Sequence, residues 1–389
     1  MVMAASSWWV LYFWVLSCWM VESKKLRQGA LFVFGDSFFD VGNNNYINTT
    51  TLDQSNFPPY GRTHFHFPTG RFSDGRIIPD FILEHARLPL IPAYLDPSSH
   101  RYFNIGANFA SAGAGALLQT FQGSVISLQT QLRYHKRVAK QLKKRYGNSN
   151  TLSKAVYLFS IATNDYISPY LITNSTHFNS SYSNSQLVQI VVGNLTAAIK
   201  VSPPCKSILA YIYIYIFYNS ICIQELHKRG ARKFGFVNLG PVGCFPGLRI
   251  ILNPPNDSGG CVESASLLAT LHNQALTKSL KRLAKQLNGF KYLLYDFNHN
   301  LQLRLKHPSR YGYKQGKTAC CGTGRFRGTY SCGGRRPVRE YQVCENPKEY
   351  VFWDSYHLTE RVYKQMAHQM WNQQPTTGTF NLKTLFESP

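Results

Sequence analysis

Short uninterrupted apolar runs alternate along this chain with longer stretches in which apolar residues recur every three or four positions. Leu31-Phe32-Val33-Phe34 is the clearest run. It has no polar break, the pattern of a strand buried on both faces rather than one alternating between core and solvent. Residues 155–161 read as a further buried strand, and 101–109, 233–238 and 292–297 complete five predicted strands. Helical spacing marks 77–86, 125–146, 186–200 and 262–287, and a last helix is expected over 358–371. Strands alternating with helices predict an α/β fold with a parallel sheet covered on both faces. With neither an internal repeat nor a linker, one domain is expected over residues 30–373, followed by a tail at 374–389.

Residues 8–21 are almost wholly apolar and uncharged. That is short of the roughly 20 residues a bilayer span needs, but it suits a signal-peptide core. The expectation is a signal peptide at 1–25, cleaved somewhere between Ser17 and Gln28, with a retained anchor as the alternative. The nine cysteines fit an oxidising route. Cys18 goes with the signal. Cys244 and Cys261 bracket a Pro/Gly/Asn-rich loop and can close it. Cys320, Cys321, Cys332 and Cys344 sit in a Gly/Arg-rich segment with little else to hold it. Four such cysteines can bind zinc, but in a secreted chain two disulfides are the better reading. Three pairings are open, with adjacent Cys320 and Cys321 expected to take different partners. Asn48, Asn174, Asn179, Asn194 and Asn256 are glycosylation candidates in Asn-x-Ser/Thr sites. The formal charge is +23, from 42 basic and 19 acidic side chains. The cations are scattered and accompany no nucleic-acid motif, so the expected partners are acidic cell-wall polymers or an anionic membrane surface rather than nucleic acid.

Candidate chemistry begins where the first strand ends, at Gly35-Asp36-Ser37. A serine between a buried strand and a helix faces the cleft beyond the strand's carboxyl end, together with the helix's free N–H groups. Taken alone, Ser37 reads as a helix cap. Near the far end of the chain, however, Trp353-Asp354-Ser355-Tyr356-His357 sets an Asp three residues before a His. At that offset a carboxylate can hold the imidazole while the other ring nitrogen faces a serine.

With Gly42-Asn43-Asn44-Asn45, Pro58-Pro59-Tyr60-Gly61, 70–76, 106–113, Thr163-Asn164-Asp165-Tyr166, 238–244 and 319–322, these residues resemble the GDSL (SGNH) esterase/lipase family in its plant secreted branch. The resemblance implies a flavodoxin-like three-layer α/β/α sandwich with five parallel strands. It implies a monomeric serine ester hydrolase in the cell wall or apoplast, acting on small-molecule or lipid esters without metal or cofactor. Ser37 would be the nucleophile, His357 the base and Asp354 its orienter. Oxyanion donors would be the Ser37 N–H, a Gly113 N–H (with Gly106 as rival) and the Asn164 amide. Asp165 would serve structure. His135 and His272, lacking a partnering motif, read as surface or core residues. Two positions depart from the pattern: Ala162 stands where Gly is usual and Leu358 where Pro is usual. Alternatives with the same residues are a carbohydrate O-acetylesterase or an acyltransferase. A different class is a non-catalytic lipid- or cell-wall-binding protein, or a mis-spliced product.

The last possibility arises from residues 201–224. The family pattern runs from a helix ending near Lys200 directly into Glu225. Here Ser202-Pro203-Pro204 and the run 211–218 intervene. Without them, Leu195 and Ile199 are followed by Leu226 on one helix face. A Val codon begins GT and one Gln codon is CAG, the ends of an unspliced intron. The rival is a hydrophobic lid.

Overall fold

A computed structural model of the protein describes residues 29–147, 151–173, 183–196, 222–252, 260–374 and 379–388. The expected signal peptide, Asn174, Asn179, Asn256 and residues 201–221 of the interruption lie outside the described residues.

Five strands, β1 (Leu31–Gly35), β2 (Gly106–Asn108), β3 (Val156–Ser160), β4 (Lys233–Val237) and β5 (Lys291–Tyr295), form one parallel sheet in the order β2-β1-β3-β4-β5. Every residue of β1, β3 and β4 is buried, Ser160 and Lys233 included. Register places Phe32, Tyr157 and Phe234 side by side, and likewise Phe34, Phe159 and Phe236. Their ring centroids are 4.8–5.5 Å apart, so two aromatic rows cross the sheet.

The helices are α1 (Ile78–His85), α2 (Leu128–Tyr146), α3 (Thr163–Thr173), α4 (Asn184–Thr196), α5 (Cys222–Lys228), α6 (Pro246–Leu252), α7 (Glu263–Gln286), α8 (Phe297–Lys306), α9 (Glu360–Asn372) and α10 (Leu382–Glu387), besides a turn at Thr151–Lys154. α4 packs on α7 and α5, and α5 on α2; α1 and α10 both pack on α9. These two groups form the helical layers on either side of the sheet. Among the described residues, no helix is long and apolar enough to cross a membrane.

The second strand is shorter than the pattern predicts. Residues Ser99–Tyr102 take a 3-10 turn, tied by the Ser99 hydroxyl to the Tyr94 carbonyl, and only Gly106–Asn108 join the sheet. Phe297 opens α8 instead of closing β5, because the Asp296 carboxylate accepts the His299 N–H and caps a helix there. α5 begins at Cys222, so the last three residues of the interruption are helical, and Ile223 is buried.

Among the described residues three disulfides close: Cys244–Cys261, Cys320–Cys344 and Cys321–Cys332. The last two brace a segment carried by two small sheets: β6 (Gln315–Ala319) pairs with β9 (Tyr350–Phe352), and β7 (Cys321–Gly322) with β8 (Gln342–Val343).

Candidate active site

β1 ends on a glycine for lack of room: a side chain at Gly35 would run into the Ser160 carbonyl of neighbouring β3. The Asp36 N–H then donates to that carbonyl (3.1 Å), and the chain turns so that Ser37, 8% exposed, faces the cleft. A polar block behind it holds the next loop. Asp40 accepts the N–H groups of Gly42, Asn43 and Ala112. Asn43 donates to the carbonyls of Asn108 and Ala110, and Asn44 to that of Ala112. This is what the Gly42–Asn45 motif does: it pins 108–112, and with them Gly113, beside Ser37. Gly113 has φ +81°, where a side chain would be strained and would crowd Asp53 and Val125.

β9 and the turn after it bring in the other two groups. The Ser37 hydroxyl lies 2.8 Å from His357 Nε2, and His357 Nδ1 lies 2.8 and 3.0 Å from the two Asp354 oxygens. Nδ1–H facing a carboxylate leaves Nε2 free to accept from the serine. Asp354 also accepts the N–H groups of Tyr356 and His357 and the Tyr60 hydroxyl (2.6 Å). Burial opposes charge on Asp354, but His357, the Arg336 guanidinium and these donors outweigh it and hold its carboxyl well below the usual range.

Asn164 sits at the start of α3, and one amide hydrogen donates to the Ala114 carbonyl (2.9 Å). The second remains for the cavity, which Asn164, Gly113 and Ser37 all line. Gly106 lies within β2, paired to Leu31, and is not part of that lining. The cavity holds about 600 Å³, and most of its wall is apolar, including Leu52, Phe121, Ile167, Leu171, Phe245, Ile250 and Val338.

The sequence model described as GDSL-like Lipase/Acylhydrolase matches residues 31–370. The chain belongs to this family. It is 51% identical to GDSL esterase/lipase 5 of Arabidopsis thaliana, over 92% of this chain and 88% of that one. It is 48% identical to GDSL esterase/lipase 2 of the same plant, over 93% and 90%. At 34% identity, over 92% and 75%, stands a protein named Inactive GDSL esterase/lipase-like protein 25. The chain is thus an ester hydrolase of the GDSL type by descent.

Around this GDSL site, Asp165 accepts the N–H groups of Ala116 and Leu117 and the Thr120 hydroxyl, fastening the loop that follows Gly113. Leu358, in place of proline, has an N–H to satisfy, and donates it to the Tyr363 hydroxyl (3.3 Å). Ala162 takes φ +95°. His135 and His272 are buried away from the cavity lining. Burial pushes both rings down to about 3, so they are neutral core residues. Asn48 is exposed, and Asn194 is half-buried within α4. Among the described residues, no cluster of side chains could hold a metal ion. Sequence reasoning gave no role to Tyr60 or Arg336. Tyr60 carried a signal, its Pro-Pro-Tyr-Gly motif; Arg336, among several arginines, carried none.

Proposed function

We propose that this protein is a secreted serine hydrolase that cleaves carboxylic esters with an apolar acyl group. The observation that carries this reading is the continuous chain Ser37–His357–Asp354 opening onto an apolar cavity. Ser37 Oγ attacks the ester carbonyl as His357 Nε2 takes its proton, while Asp354 stabilises the imidazolium. The Ser37 and Gly113 N–H groups and the Asn164 amide face the oxygen that gains charge. His357 then protonates the leaving alcohol. Water, deprotonated by the same nitrogen, releases the acid from Ser37.

The test is a panel of p-nitrophenyl esters of increasing acyl length, with a Ser37→Ala control. Rates should peak at medium or long acyl chains, and Ser37→Ala should lose several orders of magnitude in kcat. Near-normal hydrolysis by Ser37→Ala would end this reading.

The same reading takes 1–25 as a signal peptide and 201–224 as an interruption foreign to the domain. In α5, Ile223 and Leu226 are both buried, three positions apart. With 201–224 removed, Ile199 falls three positions before Leu226, the spacing that Ile223 has now. The shortened protein should be more soluble and hydrolyse the same esters. Loss of long-chain activity alone would mark the segment as a lid instead.

A further inference from the structure

Behind Asp354 stands a buried cation with no part in the steps above. Arg336 is fully enclosed. One of its nitrogens, Nη1, donates to the Tyr60 hydroxyl (3.0 Å) and to the Cys332 carbonyl (2.8 Å). Nη2 donates to the Gln54 carbonyl (3.3 Å), and the guanidinium lies 3.8 Å over the Tyr330 ring. The Tyr60 hydroxyl, receiving from Arg336, donates in turn to Asp354. A line of contacts therefore runs Arg336–Tyr60–Asp354–His357–Ser37. Burying a guanidinium is costly unless it is well partnered, and this one is delivered by a loop whose disulfide ends at Cys332.

We propose that Arg336, acting through Tyr60, is a positioning residue that sets how tightly the Asp354–His357 pair binds its proton. This rests on the triad reading given above. An N–H aimed at the tyrosine oxygen polarises its O–H toward the carboxylate. The O–H takes up part of the carboxylate's charge, so less remains to favour imidazolium. Without that donor the carboxylate would keep more charge, which favours the imidazolium over the free base.

The groups facing the pair are Tyr60, Arg336, Tyr330, Tyr356, Tyr363 and Asp53. Burial pushes the four phenols up, so they stay neutral. Asp53, pushed up by burial to about 6, titrates in the range of interest. Its contribution is separated by repeating the measurement in an Asp53→Asn background.

The experiment is the pH profile of kcat/KM on a short p-nitrophenyl ester. Tyr60→Phe and Arg336→Met should each move the midpoint of the acid limb to higher pH by about one unit. Arg336→Lys, which restores the charge, should return most of the shift. If Arg336 works through Tyr60, the double variant should shift by less than the sum of the two. Tyr60→Phe keeps the ring and its packing and reads the tyrosine's part; if Arg336→Met fails to fold, Arg336→Gln, polar but uncharged, reads the arginine's part and should show the same shift. Unmoved midpoints in the folded variants, with Ser37→Ala inactive, would overturn the inference alone. Activity in Ser37→Ala would instead overturn the triad.

Discussion

Asp354, behind His357, and Asp36, just before Ser37, are both fully enclosed carboxyl groups. Asp354 takes hydrogen bonds from the His357 ring, two backbone N–H groups and the Tyr60 hydroxyl. Asp36 takes the Phe38 N–H on one oxygen, and its other oxygen has no partner among the described residues. Burial favours the proton on both. On Asp354 the donors and the nearby cation win. On Asp36 burial wins, helped by the charges of Asp165 and Asp40, and pushes it up to about 8. Depth alone therefore does not fix a carboxyl group's charge; the supply of donors does. Asp354, behind His357, is surrounded so as to hold a charge, whereas Asp36, beside Ser37, is surrounded so as to do without one.

Asparagine substitutions test this contrast most strongly. Asp354→Asn should cost about 10⁴-fold in kcat, because the amide stabilises the wrong imidazole tautomer. Asp36→Asn replaces a protonated acid by a neutral group of the same shape, and should keep kcat within about tenfold. Equal losses, measured on one short ester, would erase the distinction. Next in size is the brace on the Asp354 side. Cys321→Ser with Cys332→Ser should lower unfolding stability by about 2–5 kcal/mol in urea titrations. An unchanged midpoint would mean that Arg336 and its loop are held without the bridge.

A smaller effect reads the proton on Asp36 directly. The folded group releases its proton near pH 8 and the unfolded one near 3.8. Between those values only the folded state holds it, so its contribution to stability falls as pH rises. The slope reaches about 1.4 kcal/mol per unit and vanishes above pH 8. His135 and His272 act oppositely below pH 6.5, since the folded protein keeps both neutral. Subtracting the Asp36→Asn curve from that of the unsubstituted protein removes them and leaves the Asp36 slope. A difference flat from pH 5 to 8 would show that Asp36 is charged throughout.

The same contrast shows what can be read from sequence. β1 was legible because a strand buried on both faces is apolar nearly throughout, and β3 and β4 because only their ends, Ser160 and Lys233, break that pattern. Ser37 and His357 were legible because one ends such a strand and the other follows an Asp at a fixed offset. α3 was not: Asn164-Asp165 carries a turn signal and Pro169 lies within the helix, yet tertiary packing makes it helical. The pairings Cys320–Cys344 and Cys321–Cys332 were not legible, because spacing permits three. Nor was the contact of Arg336 with Tyr60, which joins residues 276 apart and could as readily have involved Arg335.

The smallest effect probes the Ser37 side at Ala162, which follows β3 and leads into Asn164. Ala162 is fully buried at φ +95°, a conformation that penalises any Cβ. Ala162→Gly removes that penalty but gives the unfolded chain more freedom, so the net gain should be about 0.5–1 kcal/mol. The Asn164 amide already reaches the Ala114 carbonyl and lines the cavity with alanine in place. The strain is therefore absorbed in the backbone before Asn164, the oxyanion donor proposed above, and kcat should stay within about twofold. Urea titration and ester kinetics on one preparation separate the two quantities. A loss of stability would mean that the methyl fills space the packing needs. A large rise in kcat would mean that the strain does reach Asn164, and that the Ser37 side is held less well than its distances suggest.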